Sequence, residues 1–316
     1  MRDGLDVWIR EVGPRDGLQS IPTIFSTEAK LKWIEMEAAA GVPEIEVGSF
    51  VPPKLLPQMA DTADVVPAAK GCDDLYVSAL APNLRGAQNG LASGVHQVNY
   101  VMSVSEAHNQ SNVRRSVEES MDDFGRIVEF RNSDPAFEGI KIASGVATAF
   151  GCTISGQVPT ADVVKVVEGL IERGADELMI ADTVGYGNPA QCREIFRAVL
   201  DVAGDVPIAA HFHDTRGLGL ANVDAALEMG VRRFDASLAG LGGCPYAPGA
   251  SGNIVTDDLV FMLESMGLRT GIDLDALLDA RRYMEQHLRD EPTHGAYAKA
   301  GPPKGFVPAS MAQAAE

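Results

Sequence analysis

Cysteine is scarce in this sequence of 316 residues: there are four, Cys72, Cys152, Cys192 and Cys244, with no C-x-x-C pair among them. That spacing excludes a disulfide framework and a zinc finger, so a cysteine with a special role must be recognised by its surroundings. Positive charge is short as well. Lys and Arg number 26 against 44 Asp and Glu, a formal net charge of -18. Such a balance disfavours a nucleic-acid partner, because displacing counterions from phosphate needs a basic surface. It leaves room for a phosphorylated ligand held by a local basic patch. No apolar run is long enough to cross a bilayer. The chain enters a strand-like run almost at once, without a basic or apolar leader. A soluble cytoplasmic protein with no membrane partner is expected. Also missing are an obvious linker and a G-x-G-x-x-G after the first strand, which argues against a dinucleotide-binding fold.

What is present is alternation. Strand-like runs at Asp6–Val12, Glu44–Phe50, Leu75–Ala79, Gln97–Ser103, Ile140–Ala147, Glu177–Ala181, Val206–Ala210 and Phe234–Leu238 are each followed by a helical pattern. The helices include Thr27–Ala40, a long one from about Val113 to Arg131, Pro189–Val202 and Asn253–Met266. Eight βα units imply a parallel sheet with right-handed crossovers, and eight fit a closed α/β (β/α)8 TIM barrel better than an open sheet. Residues 1–272 would form this barrel. Residues 273–316 would add a helix at Leu274–Leu288, a Gly/Pro-rich stretch at Thr293–Val307 with Lys299 and Lys304, and a frayed end from Ala309.

In such barrels, polar residues at the C-terminal strand ends build the active site. His211 and His213 end the seventh run, and residues two apart on a strand share a face. Asp16, after the first run, would add a carboxylate to the two imidazoles. That donor set suits Mg²⁺, Mn²⁺, Fe²⁺ or Zn²⁺, and spacing does not choose among them. Arg15 is either a rim ion-pair partner of Asp16 or a donor aimed at a developing oxyanion. Glu46, on the second run, would orient Arg15 or merely neutralise it. Asp182 ends the sixth run. Cys244 sits on a glycine-rich loop after the eighth, a better setting for acid/base or nucleophilic work than for structural burial. The glycines would let that loop move as a lid.

Three stretches resemble the hydroxymethylglutaryl-CoA lyase family: Glu11-Val12-Gly13-Pro14-Arg15-Asp16-Gly17-Leu18-Gln19, HFHDTRG from His211 to Gly217, and GLGGCPYAPGASGN from Gly240 to Asn253. The ADTVGYG stretch from Ala181 to Gly187 also matches, and Asp257 stands where a glutamate is expected. The resemblance covers roughly residues 5–270. It implies a divalent cation, Mg²⁺ or Mn²⁺, held by Asp16, His211, His213 and Asn253. It implies that Arg15 polarises a thioester carbonyl, Glu46 positions Arg15, Asp182 belongs to the substrate site, and Cys244 is a general acid/base. His211, or a group near it, would take the substrate hydroxyl proton. The implied partner is an acyl-CoA, the implied assembly a homodimer. The implied reaction is retro-Claisen cleavage of 3-hydroxy-3-methylglutaryl-CoA to acetyl-CoA and acetoacetate. The nearest rival is the same chemistry on a longer isoprenoid-derived or citramalyl-type chain. A condensing synthase and a catalytically silent barrel are the other rivals.

Overall fold

The computed structural model describes residues 4–242 and 252–312. Its strands are β1 (Trp8–Glu11), β2 (Glu44–Ser49), β3 (Tyr76–Leu80), β4 (Gln97–Ser103), β5 (Lys141–Ala147), β6 (Glu177–Asp182), β7 (Ile208–Phe212) and β8 (Arg233–Ala236). Each pairs in parallel with the next, and β8 pairs back with β1, closing an eight-stranded barrel. The apolar runs read as strands because a parallel barrel is covered on both faces, by its own interior and by the outer helices.

The helices that follow these strands are α1 (Thr27–Ala39), α2 (Thr62–Ala69), α3 (Leu84–Ser93), α4 (Glu106–Val113) with α5 (Val117–Asn132), α6 (Thr160–Glu172), α7 (Pro189–Ala203), α8 (Gly219–Glu228) and α9 (Thr256–Ser265). Local chemistry starts several of them. Ser26 accepts a hydrogen bond from the Ala29 amide (3.2 Å) and Asn83 from the Gly86 amide (2.9 Å), each satisfying a donor the first helical turn leaves free.

Two boundaries differ from the sequence pattern. The single helix expected from Val113 to Arg131 is instead two, because Arg114 adopts a left-handed conformation (φ 58°) that ends α4. Ser116 and Glu119 then form a reciprocal capping box that starts α5. The helix expected from Asn253 begins only at Thr256, since Asn253 forms an antiparallel bridge with His213.

The barrel interior carries charge. Arg10 is 2% exposed and lies among Glu44 (2.5 Å from Nε), Glu177 and Asp235 (3.2 Å from Nη1). A buried cation needs such company, since desolvation costs it several kcal/mol.

The C-terminal extension is α10 (Leu274–His287), α11 (Tyr297–Ala300) and α12 (Ala309–Ala312). Leu277, Met284 and Tyr297 belong to the same apolar core as the barrel. The segment between α10 and α11 packs against the end of β8: the His294 amide donates to the Ala239 carbonyl (2.8 Å). Arg281 secures it, binding both oxygens of Asp257 (3.0 and 2.9 Å) and the His294 carbonyl (2.6 Å). Instead of fraying from Ala309, the chain forms a helical turn over 309–312, where Ser310 donates through its amide and hydroxyl to Glu264 (2.8 and 2.6 Å). Among the described residues no helix is long and apolar enough to cross a membrane.

Arg281 and Asp257 are both buried, so Arg281→Ala should strand a carboxylate in the core. The expected loss is roughly 3–5 kcal/mol in urea unfolding; an unchanged midpoint would mean the pair contributes nothing.

Candidate metal centre and active site

β1 ends in a wide helical turn over Gly13–Gly17, in which the Asp16 amide donates to the Val12 carbonyl (2.7 Å). This turn points Arg15 and Asp16 inward over the C-terminal mouth of the barrel. Glu11 holds the turn in place. Its carboxylate accepts from the Gly13 amide (2.7 Å), from the Leu238 amide after β8 (2.9 Å) and from the Thr256 hydroxyl at the start of α9 (2.6 Å). One buried side chain thus fixes the Arg15–Asp16 turn to both flanks of the loop that carries Cys244. Cys244 itself lies outside the described residues.

His211 and His213 leave β7 on the same face, as the two-residue spacing predicts, with their Nε2 atoms 3.1 Å apart. Asp16 Oδ2 lies 3.7 Å from His213 Nε2. One ligand atom from each of the three residues falls within 4.8 Å of the others, a grouping able to hold a cation. Asn253 joins them because its backbone is bridged to that of His213. Its Nδ2 donates to Asp16 Oδ2 (2.8 Å). Gly242 makes this approach possible: at φ 110°, an added Cβ would lie 3.0 Å from both Asn253 Nδ2 and Gly17 Cα.

The donor set fits a divalent cation. His211 Nδ1 lies 3.1 Å from Asp235 Oδ2, and a proton shared there leaves the Nε2 lone pair facing His213. Two imidazole nitrogens so close need a shared proton or a shared cation between them. Asn253 Oδ1 is buried with no partner among the described residues, and a buried polar atom is normally satisfied. A carboxylate, a carbonyl oxygen and two imidazoles suit Mg²⁺, Mn²⁺ or a transition metal.

Electrostatics keep the groups in useful states. Burial alone would raise the Asp16 carboxyl, but Arg15, His213 and His211 hold it far below the usual carboxylate range. Burial disfavours charge on His211 too, yet the Asp235 hydrogen bond and the neighbouring carboxylates outweigh it and raise its pKa. Burial likewise opposes charge on Arg15, and Glu46 and Asp16 overcome it.

Arg15 Nε donates to Glu46, and Nη1 to Asp16 Oδ1 (2.6 Å). Glu46 is itself fixed by Asn99 Nδ2 (2.8 Å). Arg15 is therefore an ion-pair partner of Asp16, and Glu46 both neutralises it and fixes its direction. Asp182 lies at the same rim, but both its oxygens accept backbone amides, from Tyr186 (2.8 Å) and Gly187 (2.9 Å). It shapes the loop after β6. Asp235, Glu11 and Asn99 were not singled out from the sequence. Asp235 had a usable signal: an acid alternating with apolar residues in a buried run must face the interior.

The triad opens on a cavity of about 750 Å³, bounded outward by Val51, Pro52, Leu55 and Leu56, by Pro82 and Asn83, and by His108 and residues 112–115. A second hollow of about 780 Å³ lies at the opposite end, around Trp8, Tyr76 and His96, away from the triad.

An eight-stranded α/β barrel with a carboxylate–imidazole cluster at its C-terminal mouth defines the class. The HMGL-like family model matches residues 6–284, and the chain belongs to the HMGL-like family. A hydroxymethylglutaryl-CoA lyase of Bacillus subtilis is 43% identical over 285 residues, covering 89% of this chain and 93% of that protein. An (R)-citramalyl-CoA lyase of Chloroflexus aurantiacus is 39% identical over 306 residues, covering 94% and 95%. The structure of an HMG-CoA lyase from Acinetobacter baumannii, in complex with coenzyme A and 3-methylmalate, superposes with a TM-score of 0.88. It is 40% identical and covers 98% of this chain and 99% of that one.

Asp235→Asn leaves one acceptor oxygen where Arg10 and His211 use two, so the His211 tautomer is no longer fixed. Such outer partners typically control 10- to 100-fold in metal affinity, so Mn²⁺ titration followed by electron paramagnetic resonance should show a Kd weakened by about that factor. An unaltered Kd would take Asp235 out of the site.

Proposed function

We propose that this chain cleaves 3-hydroxy-3-methylglutaryl-CoA to acetyl-CoA and acetoacetate. The observation that carries this reading is the meeting of Arg15 with Asp16, His211 and His213 on one wall of a single chamber. An electrophilic donor and a candidate metal cluster side by side suit a bond cleavage that leaves an enolate. The identity to lyases over nearly the whole chain supports it.

Asp16, His211, His213 and Asn253 would hold the metal. A divalent cation there would lower the pKa of the substrate's tertiary hydroxyl and fix its orientation. The protein's own groups then divide the work. A base near His211 takes the hydroxyl proton, since His211 itself, with Nδ1 held by Asp235, gives its one free lone pair to the cation. As the C3 oxygen becomes a ketone, the C2–C3 bond breaks and its electron pair stays on C2, delocalised into the thioester as an enolate. Arg15, mounted on Glu46 and Asp16, stabilises the enolate oxygen; fixed donors of this kind contribute most where charge develops in a site poor in water. Cys244 delivers the proton that turns the enolate into acetyl-CoA. Asp182, which accepts the Tyr186 and Gly187 amides, belongs to the substrate site in this reading. The same reading includes Mg²⁺ or Mn²⁺ as the resident cation and a homodimer, both carried from the family resemblance, and the cytoplasmic location expected from the sequence.

A second reading, the same cleavage of a citramalyl-type CoA ester, is favoured by one observation: a relative with that activity matches at nearly the same identity.

Purified protein given 3-hydroxy-3-methylglutaryl-CoA should release acetyl-CoA and acetoacetate with Mg²⁺ and stop on chelation. Release that is indifferent to chelator would contradict the metal-dependent reading. Cys244→Ala should abolish most turnover with metal binding intact, and full activity would remove the thiol from the mechanism. His213→Ala should be purified without metal; undiminished metal content would reject it as a ligand.

A further inference from the structure

Two amides cross the barrel interior and end on the carboxylate that carries Arg15. Gln97 and Asn99 are two apart on β4, so both face inward, and they are 3% and 0% exposed. Gln97 Nε2 donates to Asn99 Oδ1 (2.9 Å) and to Glu177 Oε1 on β6 (3.4 Å). Asn99 Nδ2 donates to Glu46 Oε1 on β2 (2.8 Å). Small side chains on the intervening strands make room for this crossing. Ser78 on β3 is in register with both Glu46 and Gln97, and Ala143 on β5 with both Asn99 and Glu177.

The ends of the chain of amides fix its direction. Glu177 receives Arg10 and Arg233, and Glu46 receives Arg15, so both ends offer oxygen atoms to the amides between them. Each amide has one acceptor oxygen and one NH₂ group. One arrangement pairs them all: Gln97 gives both its hydrogens, and Asn99 turns its oxygen to Gln97 and its NH₂ to Glu46. Turned round, Asn99 would set oxygen against oxygen at Glu46 and NH₂ against NH₂ at Gln97.

Arg15 shows what that direction secures. Its Nε is held by Glu46 Oε2 and its Nη1 by Asp16 Oδ1. Nη2 has no hydrogen-bond partner among the described residues, and Arg15 lines the chamber. Carboxylates commonly grip a guanidinium with both oxygens, through two parallel N–H groups. Nε and Nη2 form such an edge. Glu46 does not close on it with its second oxygen, because Asn99 occupies Oε1.

We propose that Asn99 is a positioning residue for the cleavage: oriented by Gln97, it keeps Glu46 from taking Arg15 Nη2, so that this donor stays available to the enolate oxygen. This rests on the carbon–carbon lyase reading of the same site. The enolate oxygen gains its charge only as the C2–C3 bond breaks. A donor lost to Glu46 is therefore felt in kcat and not in KM.

The test is steady-state cleavage of 3-hydroxy-3-methylglutaryl-CoA with Mg²⁺ by wild type, Asn99→Leu, Gln97→Glu, Glu46→Gln and the double variant Asn99→Leu/Glu46→Gln. Asn99→Leu should lower kcat about 10- to 100-fold with KM within about 3-fold, since a small misplacement of a reacting group costs up to about 100-fold. Gln97→Glu is equal in size but offers Asn99 an acceptor. It should turn that amide round and lower kcat to a similar extent, and it serves if Asn99→Leu is insoluble. In the Glu46→Gln background the Asn99 substitution should cost less than about 3-fold, because residues that act through one another do not add. Cleavage by wild type with kcat kept in Asn99→Leu, or with the loss in KM alone, would overturn the positioning role and leave the lyase reading standing. An undiminished loss in the Glu46→Gln background would also overturn it, since Asn99 would then act without Glu46. No cleavage by wild type would overturn the lyase reading and the positioning role with it.

Discussion

Asp235 is the residue on which the site depends. It accepts from Arg10 through one oxygen and faces His211 with the other, 3.2 and 3.1 Å away. Arg10 in turn requires Glu44 and Glu177, so charge balance in the barrel interior and imidazole orientation at its mouth are one network. An uncompensated charge in that interior would cost several kcal/mol. A change that looks structural, deep in the barrel, is therefore felt at the metal ligands. The Asp235 carboxyl stays low even though burial would raise it, because Arg10 and then His211 oppose that effect. It thus remains an anion, the form that holds His211 in one tautomer.

Two further constraints position the remaining groups. Glu11 ties the Arg15–Asp16 turn to Leu238 and Thr256, so the electrophile and the strand end carrying the cysteine loop share one anchor. Asp257 and Arg281 hold the segment after α10 against Ala239, at the base of the same loop. Here Asp257 stands in place of an expected glutamate, and the Arg281 guanidinium reaches both of its oxygens. The tail therefore supports the loop's base, and the open approach to the triad lies on the opposite side, among the loops after β2, β3 and β4.

The periodicities made much of this legible. Eight alternating units gave the barrel because parallel strands with helical crossovers have few other solutions. His211 and His213 were legible as a pair because strand side chains alternate. Bringing Asp16 to them required closure of β1 against β8, which follows from the count of eight. Arg10 and Glu11 were hidden, and Asp235 signalled only that it faces the interior, because an ionisable residue inside an apolar run gives no sign of its long-range partner. The break at Arg114 was legible in principle from Ser116-x-x-Glu119, a capping signature overridden by the apolar pattern around it. The turn over 309–312 was not, since Glu264 fixes it from 46 residues away. Asp182 was placed at the right rim, but its carboxylate is committed to two backbone amides, a choice that depends on the loop's path.

The central claim is that barrel closure makes Asp16, His211 and His213 a single cation site. Anomalous diffraction from a crystal soaked in Mn²⁺ tests it most directly. The account predicts one strong peak bounded by Asp16, His211 and His213, with Asn253 alongside. A peak elsewhere on the protein with none among these residues would contradict it.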